Sequence, residues 1–263
     1  MRLEARKVTY GYSAGRDVLT DVSLSIESGR MMFVLGANGS GKTTLVQCLA
    51  GLRVPRTGCV RLDELPIEQL SLRERARALG IVPQIHEPVF DYTVGEVVLM
   101  GRAPQLTMLS RPGRSDWKAA RIALDRVGLL PLIDRPYTRT SGGERQLTLI
   151  ARGLAQGARC LLMDEPTAHL DPTHQHRILS TIQTLARDEY AFVVTSHHPN
   201  NALSYGDLVV FLIEGHTEYS GLPERMIHKE SLAAAYGMEF EIINGIGSVC
   251  AVIPRTRPRD QKA

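Results

Sequence analysis

The sequence lacks long hydrophobic runs, has few aromatic residues and shows little excess of either charge. Its longest apolar stretches span about six residues, as in Leu208 to Ile213, whereas a helix that crosses a bilayer needs about 20. No segment is therefore expected to span a membrane. The first residues, Met-Arg-Leu-Glu-Ala-Arg-Lys, hold no apolar segment and predict no secretory signal. Aromatics make up 5% of the 263 residues, beside 43% hydrophobic and 22% charged, the balance of a globular chain. Lysine and arginine number 31 and aspartate and glutamate 28, a net charge of +3. The tail from Pro254 to Ala263 carries Arg255, Arg257, Arg259 and Lys262 against Asp260, and so accounts for that excess. The neutral body argues against a nonspecific nucleic-acid face. The tail reads as a disordered basic end, leaving 1–253 as a single domain. Cysteine is scarce too: Cys48, Cys59, Cys160 and Cys250 form no C-x-x-C pair, so neither a zinc site nor a disulfide framework is expected. Cys48 and Cys160 sit in apolar stretches and read as small core residues of a cytoplasmic protein.

What is present is an alternation of short apolar runs with helical patterns. Met31 to Leu35, Ile81 to Val82, Cys160 to Met163, Phe192 to Thr195 and Leu208 to Ile213 read as buried strands. Helices are expected over Thr43 to Leu52, Val94 to Arg102, Asp116 to Val127, Gly142 to Ala155 and Thr173 to Ala186. Capping boxes pair Ser71 with Glu74, Thr93 with Glu96 and Ser141 with Glu144. The pattern predicts an α/β core around a mainly parallel sheet. The first thirty residues alternate more like antiparallel strands, and the stretch from about Glu87 to Ala155 looks like a helical insert.

Gly36-Ala-Asn38-Gly39-Ser40-Gly41-Lys42-Thr43 fits G-x-x-x-x-G-K-[ST], with a strand before it and a helix after. Its glycines let the backbone curl so that successive N–H groups and the helix N-terminus meet phosphate oxygens. Lys42 is placed to reach the β- and γ-phosphates and the Thr43 hydroxyl to bind Mg²⁺, with Asn38, Ser40 and Thr44 in the same cradle. Cys160-Leu-Leu-Met-Asp164-Glu165 is an apolar strand ending in two carboxylates. Asp164 stands where a P-loop fold puts the acidic partner of Mg²⁺. Glu165 beside it is the candidate base for an attacking water. These motifs fit an ATPase or a GTPase, and no N-K-x-D sequence for reading guanine occurs.

Between them lies Thr140-Ser141-Gly142-Gly143-Glu144-Arg-Gln, which resembles the L-S-G-G-Q signature of ATP-binding cassette (ABC) ATPases. Thr140 replaces the usual Leu and Glu144 the usual Gln. Other landmarks follow in that family's order. Tyr12 matches the aromatic that stacks on adenine, with Tyr10 the competing choice. Gln84 matches the Q-loop glutamine that contacts Mg²⁺. Ala168-His169-Leu-Asp171 resembles the D-loop, with His169 where a small residue is usual. His197, rather than His198, matches the switch histidine on the γ-phosphate. The resemblance covers nearly the whole chain. It implies a P-loop NTPase core with a mainly parallel sheet, an N-terminal antiparallel β subdomain and a helical subdomain at about 87–155.

The same resemblance implies a mechanism. ABC ATPases hold two ATP between two head-to-tail subunits, so Ser141, Gly142 and Gly143 would cover the partner's nucleotide. Glu165, His197 and Lys42 would be catalytic, with Thr43, Gln84 and Asp164 around Mg²⁺. Val97 to Pro104, Arg145 to Arg152, His197 to Leu203 and Ser231 to Gly237 look like ATPase subunits of importers for iron–siderophore, haem and vitamin B12. Molybdate importers share the pattern. The implied partners are a second copy, polytopic transmembrane permease subunits and, indirectly, a substrate-binding protein, at the cytoplasmic face of the inner membrane. No nucleic acid is expected. An exporter ATPase and a soluble ABC ATPase acting on nucleic acid are the competing readings; the second commonly has two cassettes or a coiled-coil insert, and this chain shows neither. Val89, Phe90 and Tyr92 either line a groove for a permease helix, with Arg102 at its rim, or fold into the insert's own core.

Overall fold

The computed structural model describes residues 1–13, 15–84, 91–107, 110–245 and 249–255, without the side chains of 249 and 250. A six-stranded sheet has the order β10 (His216–Gly221), β9 (Leu208–Ile213), β3 (Met31–Leu35), β8 (Ala191–Ser196), β7 (Cys160–Met163), β6 (Leu79–Val82). All its pairs are parallel except β10 with β9. A four-stranded antiparallel sheet runs β2 (Leu19–Glu27), β1 (Arg2–Tyr10), β4 (Thr57–Leu62), β5 (Leu65–Pro66), and β11 (Phe240–Asn244) pairs with β12 (Val249–Pro254) as a ribbon. The longer helices are α1 (Lys42–Leu49), α2 (Leu72–Ala78), α3 (Val94–Leu99), α4 (Arg114–Arg126), α5 (Gly142–Ala155) and α6 (Pro172–Arg187). Further along the chain come α7 (Pro199–Tyr205), α8 (Pro223–Met226) and α9 (Lys229–Tyr236).

Every residue of β3, β7 and β8 is buried, because a central parallel strand is covered on both faces. The two-residue side-chain period then sorts β3 between two cores. Met31, Phe33 and Leu35 pack with α3, α4, α5 and α6, whereas Met32 and Val34 pack with α1 and the antiparallel sheet. Each such fully buried side chain stabilises the fold by about 1.5–3 kcal/mol before entropy is counted. Cys48 and Cys160 lie in the second core, fully buried, and burial pushes their thiols up to about 11 and about 12. The expected α/β fold and the antiparallel N-terminal strands are observed.

Boundaries differ where backbone chemistry intervenes. The helix expected over Val94 to Arg102 is α-helical only to Leu99 and continues as a 3₁₀ turn to Gln105, with Pro104 inside it. Proline has no N–H to extend an α-helix. α1 stops at Leu49, and Gly51 turns the chain with a φ of +67°. The tail begins later than expected: Pro254 belongs to β12, and Arg255 bonds Glu239 through backbone and side chain. Residues 256–263 lie outside the described residues, as do Val89 and Phe90 of the expected groove. Arg102, expected at its rim, binds Asp116 and the Ala155 carbonyl through its guanidinium.

Candidate active site

Strand register assembles the site. Leu35 of β3 pairs with Ser196 of β8, Val194 of β8 with Met163 of β7, and Met163 with Val82 of β6. Four neighbouring parallel strands therefore end along one edge of the sheet, β7 and β6 two residues short of β3 and β8. The segments that leave them carry the phosphate loop, His197, the Asp164–Glu165 pair and Gln84. This is the carboxyl edge of an open sheet, where such folds bind ligands. A cleft of about 670 Å³ opens there, lined by Asn38, Gly39, Gly41, Lys42, Thr43 and Thr44 on one wall. Gln84, Glu165 and His197 line the other.

The phosphate loop joins β3 to α1. Gly39 and Gly41 have φ of +82° and +103°, conformations that strain a residue with a Cβ. A Cβ on Gly36 would run into the Leu212 carbonyl and the Ser40 hydroxyl. Lys42 is buried; its Nζ donates to the Gly36 and Ala37 carbonyls at 2.9 and 3.0 Å and sits 3.4 Å from Glu165 Oε1. Tyr12 is 58% exposed beside the loop, with its hydroxyl 3.1 Å from Thr44 Oγ1, whereas Tyr10 packs in the core. Of the two, Tyr12 is the more open ring, with the Arg53 guanidinium over it at 5.2 Å and Tyr10 in a T-shaped contact at 5.3 Å.

Asp164 is buried at the end of β7, and Thr195 Oγ1 donates to its Oδ1 at 2.8 Å. Glu165 follows with a φ of +45°. Its carboxylate lies between Lys42 and the His197 ring, whose Nδ1 is 3.1 Å from Oε2. The His198 ring lies tilted against His197 with centroids 4.0 Å apart, and burial and that neighbour hold it below the ordinary histidine value.

The signature residues are elsewhere. Ser141 caps α5, accepting from the Glu144 N–H, while Glu144 accepts from the Ser141 N–H at 2.8 Å. Thr140, in place of leucine, is buried and donates its hydroxyl to the Tyr137 carbonyl at 2.7 Å. Gly143 packs on the His174 ring with no room for a Cβ. Asp171 caps α6 and bonds His174, which holds its carboxyl below the usual range. Neither Asp171 nor any of Ser141, Gly142 and Gly143 lines the cleft. Ser141 and Gly142 are instead exposed at a helix N-terminus, where unpaired N–H groups favour an anion.

Known proteins share this arrangement. The family model for "ABC transporter" matches residues 19–168, more than half of the chain. The chain belongs to the ABC transporter family. The hemin import ATP-binding protein HmuV of Rhodococcus jostii is 35% identical over 265 residues, covering 100% of this chain and 87% of the relative. The cobalamin import ATP-binding protein BtuD of Halobacterium salinarum is 38% identical over 224 residues, or 85% of this chain and 56% of that one. Among solved structures, an inward-facing ABC transporter described as of the metal-chelate type aligns with a TM-score of 0.84 at 28% identity. It covers 97% of this chain and 98% of its own. As a member of this family the chain binds ATP and is an ATP hydrolase coupled to transport.

The oxygen donors at the cleft fit Mg²⁺, which takes hard oxygen ligands in small number beside phosphates. They are the Thr43 hydroxyl and the Gln84 amide, which line it, and the Asp164 carboxylate, which is buried at the end of β7 and outside that lining. Several residues of this ABC site were not legible in the sequence. Val18, Thr167, Gln175 and His198 also line the cleft. Thr195 accepts the Glu165 N–H as well as binding Asp164. Its one sequence signal is a hydroxyl within the buried run Ala191-Phe-Val-Val-Thr195.

Proposed function

We propose that the chain powers an importer of a metal chelate, of the haem, cobalamin or iron–siderophore class, through partner permease subunits. The observation that carries this is the similarity to hemin and cobalamin import ATP-binding proteins over most of the chain, beyond the cleft itself. Two copies bind two ATP head to tail, each phosphate loop covered by the other copy's Ser141, Gly142 and Gly143. Lys42 leaves Glu165 for the β- and γ-phosphates, an exchange of one charge partner for a stronger one. Glu165, freed, accepts a proton from the attacking water, and His197 holds the γ-phosphate. Thr43, Gln84 and Asp164 would hold Mg²⁺, which would supply neutralisation of phosphate charge there. Tyr12 stacks on the adenine, and Asp171 keeps the segment after Glu165 capped onto α6.

No helix among the described residues is long and apolar enough to cross a membrane. A second groove, of about 340 Å³, is lined by Leu52, Leu72, Ala76, Ile81, Met100 and Ala103. Leu72 is 70% exposed, and Leu52 and Met100 are exposed as well. Arg75 and Arg152 also line the groove, and among the described residues no carboxylate does. An amphipathic permease helix with an acidic residue fits such a groove. Leu72→Glu would repel that helix while keeping the chain's own ATPase. The test is reconstitution with the permease in liposomes: hemin, cobalamin or a ferric siderophore stimulates ATPase and is taken up, and Leu72→Glu abolishes uptake and co-purification. If molybdate drives uptake instead, the chelate class is wrong. If Leu72→Glu transports normally, the groove is.

A further inference from the structure

We propose that Thr195 is a positioning residue for hydrolysis, setting both Asp164 and Glu165 through a single hydroxyl; this rests on the roles given to those two carboxylates above. Thr195 is 0% exposed, in a strand whose six residues are all buried. Valine would fill that volume in an apolar run equally well, and a buried hydroxyl is costly unless bonded. Here both of its capacities are used. It donates to Asp164 Oδ1 at 2.8 Å and accepts the Glu165 backbone N–H at 2.9 Å.

Each bond has a consequence for the site. The bond to Oδ1 fixes the rotation of the Asp164 carboxylate. Glu165 has a φ of +45°, in a region that residues with a Cβ seldom adopt. The bond from its N–H to Thr195 anchors that turn, which puts its carboxylate between Lys42 and His197. His197 stands two residues beyond Thr195 on the same chain segment. One strand end therefore delivers the imidazole that meets Glu165 and the hydroxyl that holds Glu165 and Asp164. None of this requires Thr195 to touch ATP, and it does not line the cleft.

The experiment compares Thr195→Val, Thr195→Ser and Thr195→Ala with the intact chain and with Glu165→Gln. ATP turnover, the Mg²⁺ concentration for half-maximal turnover, affinity for a fluorescent non-hydrolysable ATP analogue without Mg²⁺, and melting temperature are measured. Thr195→Val and Thr195→Ala are expected to lower kcat about tenfold or more and to raise the Mg²⁺ requirement. Analogue affinity without Mg²⁺ stays as in the intact chain. Thr195→Ser, which keeps the hydroxyl, retains most of the rate. The serine and alanine variants differ in that hydroxyl alone, so their contrast decides the matter even if the valine variant does not fold. Equal rates for serine and alanine overturn the proposal, as does a wild-type rate in Thr195→Val beside an inactive Glu165→Gln. A wild-type rate in Glu165→Gln overturns instead the roles assigned to the carboxylates.

Discussion

The phosphate-loop side of this molecule is closed on itself, and the signature side is not. Lys42 is satisfied by two loop carbonyls and by Glu165, and Glu165 in turn by Lys42 and His197. Across the molecule, Ser141 and Gly142 are exposed at the start of α5, and the Ser141 side chain bonds only within its own capping box among the described residues. Both ends offer backbone N–H groups to an anion. Only one has phosphate-reading side chains gathered round it. The difference supports the proposed arrangement, in which one chain's nucleotide cradle is covered by the signature residues of another.

The comparison can be broken from the closed side first. Glu165→Gln removes the proton acceptor while keeping size and hydrogen bonding, and kcat is expected to fall about a thousandfold. ATP stays bound, so size-exclusion chromatography with ATP should show a trapped dimer. Lys42→Ala acts earlier, on binding. Losing charge-assisted bonds to phosphate should weaken ATP affinity by about ten- to a hundredfold, read by titration with a fluorescent analogue.

The closed side was also the legible one. The phosphate loop and the Asp164–Glu165 pair are contiguous in sequence, and each sits beside an apolar strand that the pattern of burial reveals. α5 was placed to the residue, because its capping box and its amphipathic stripe agree. Other elements gave less: α2 offered its Ser71–Glu74 capping box without an amphipathic stripe. β10 reads His-Thr-Glu-Tyr-Ser-Gly and buries no side chain fully, so it carries no apolar alternation, and α2 buries none of its residues. Thr195 escaped notice for a different reason. Its role depends on β7 lying beside β8, a neighbourhood that thirty residues of intervening chain conceal.

A smaller effect sharpens the comparison at the helical layer that carries the signature. Asp116 accepts from the Gly113 N–H and from Arg102, which hold its carboxyl below the ordinary value of 3.8. A lowered carboxyl contributes stability that is present above the ordinary value and is lost as pH falls through the lowered one. The melting temperature of Asp116→Asn should therefore lie below that of the intact chain at neutral pH. The gap should narrow as pH falls through the lowered value. A gap that is constant with pH would place the effect in packing rather than charge.

The central claim, that each site takes its cradle from one chain and its cover from another, is tested most directly by mixing. Lys42→Ala spoils the cradle, and Ser141→Arg spoils the cover while leaving ATP bound. Each variant alone should be nearly inactive. Mixed in equal amounts, half of the dimers pair one of each and have one site with both parts intact, so roughly a quarter of the wild-type ATPase rate returns. No gain over the separate variants, or full activity in Ser141→Arg alone, would contradict the composite site.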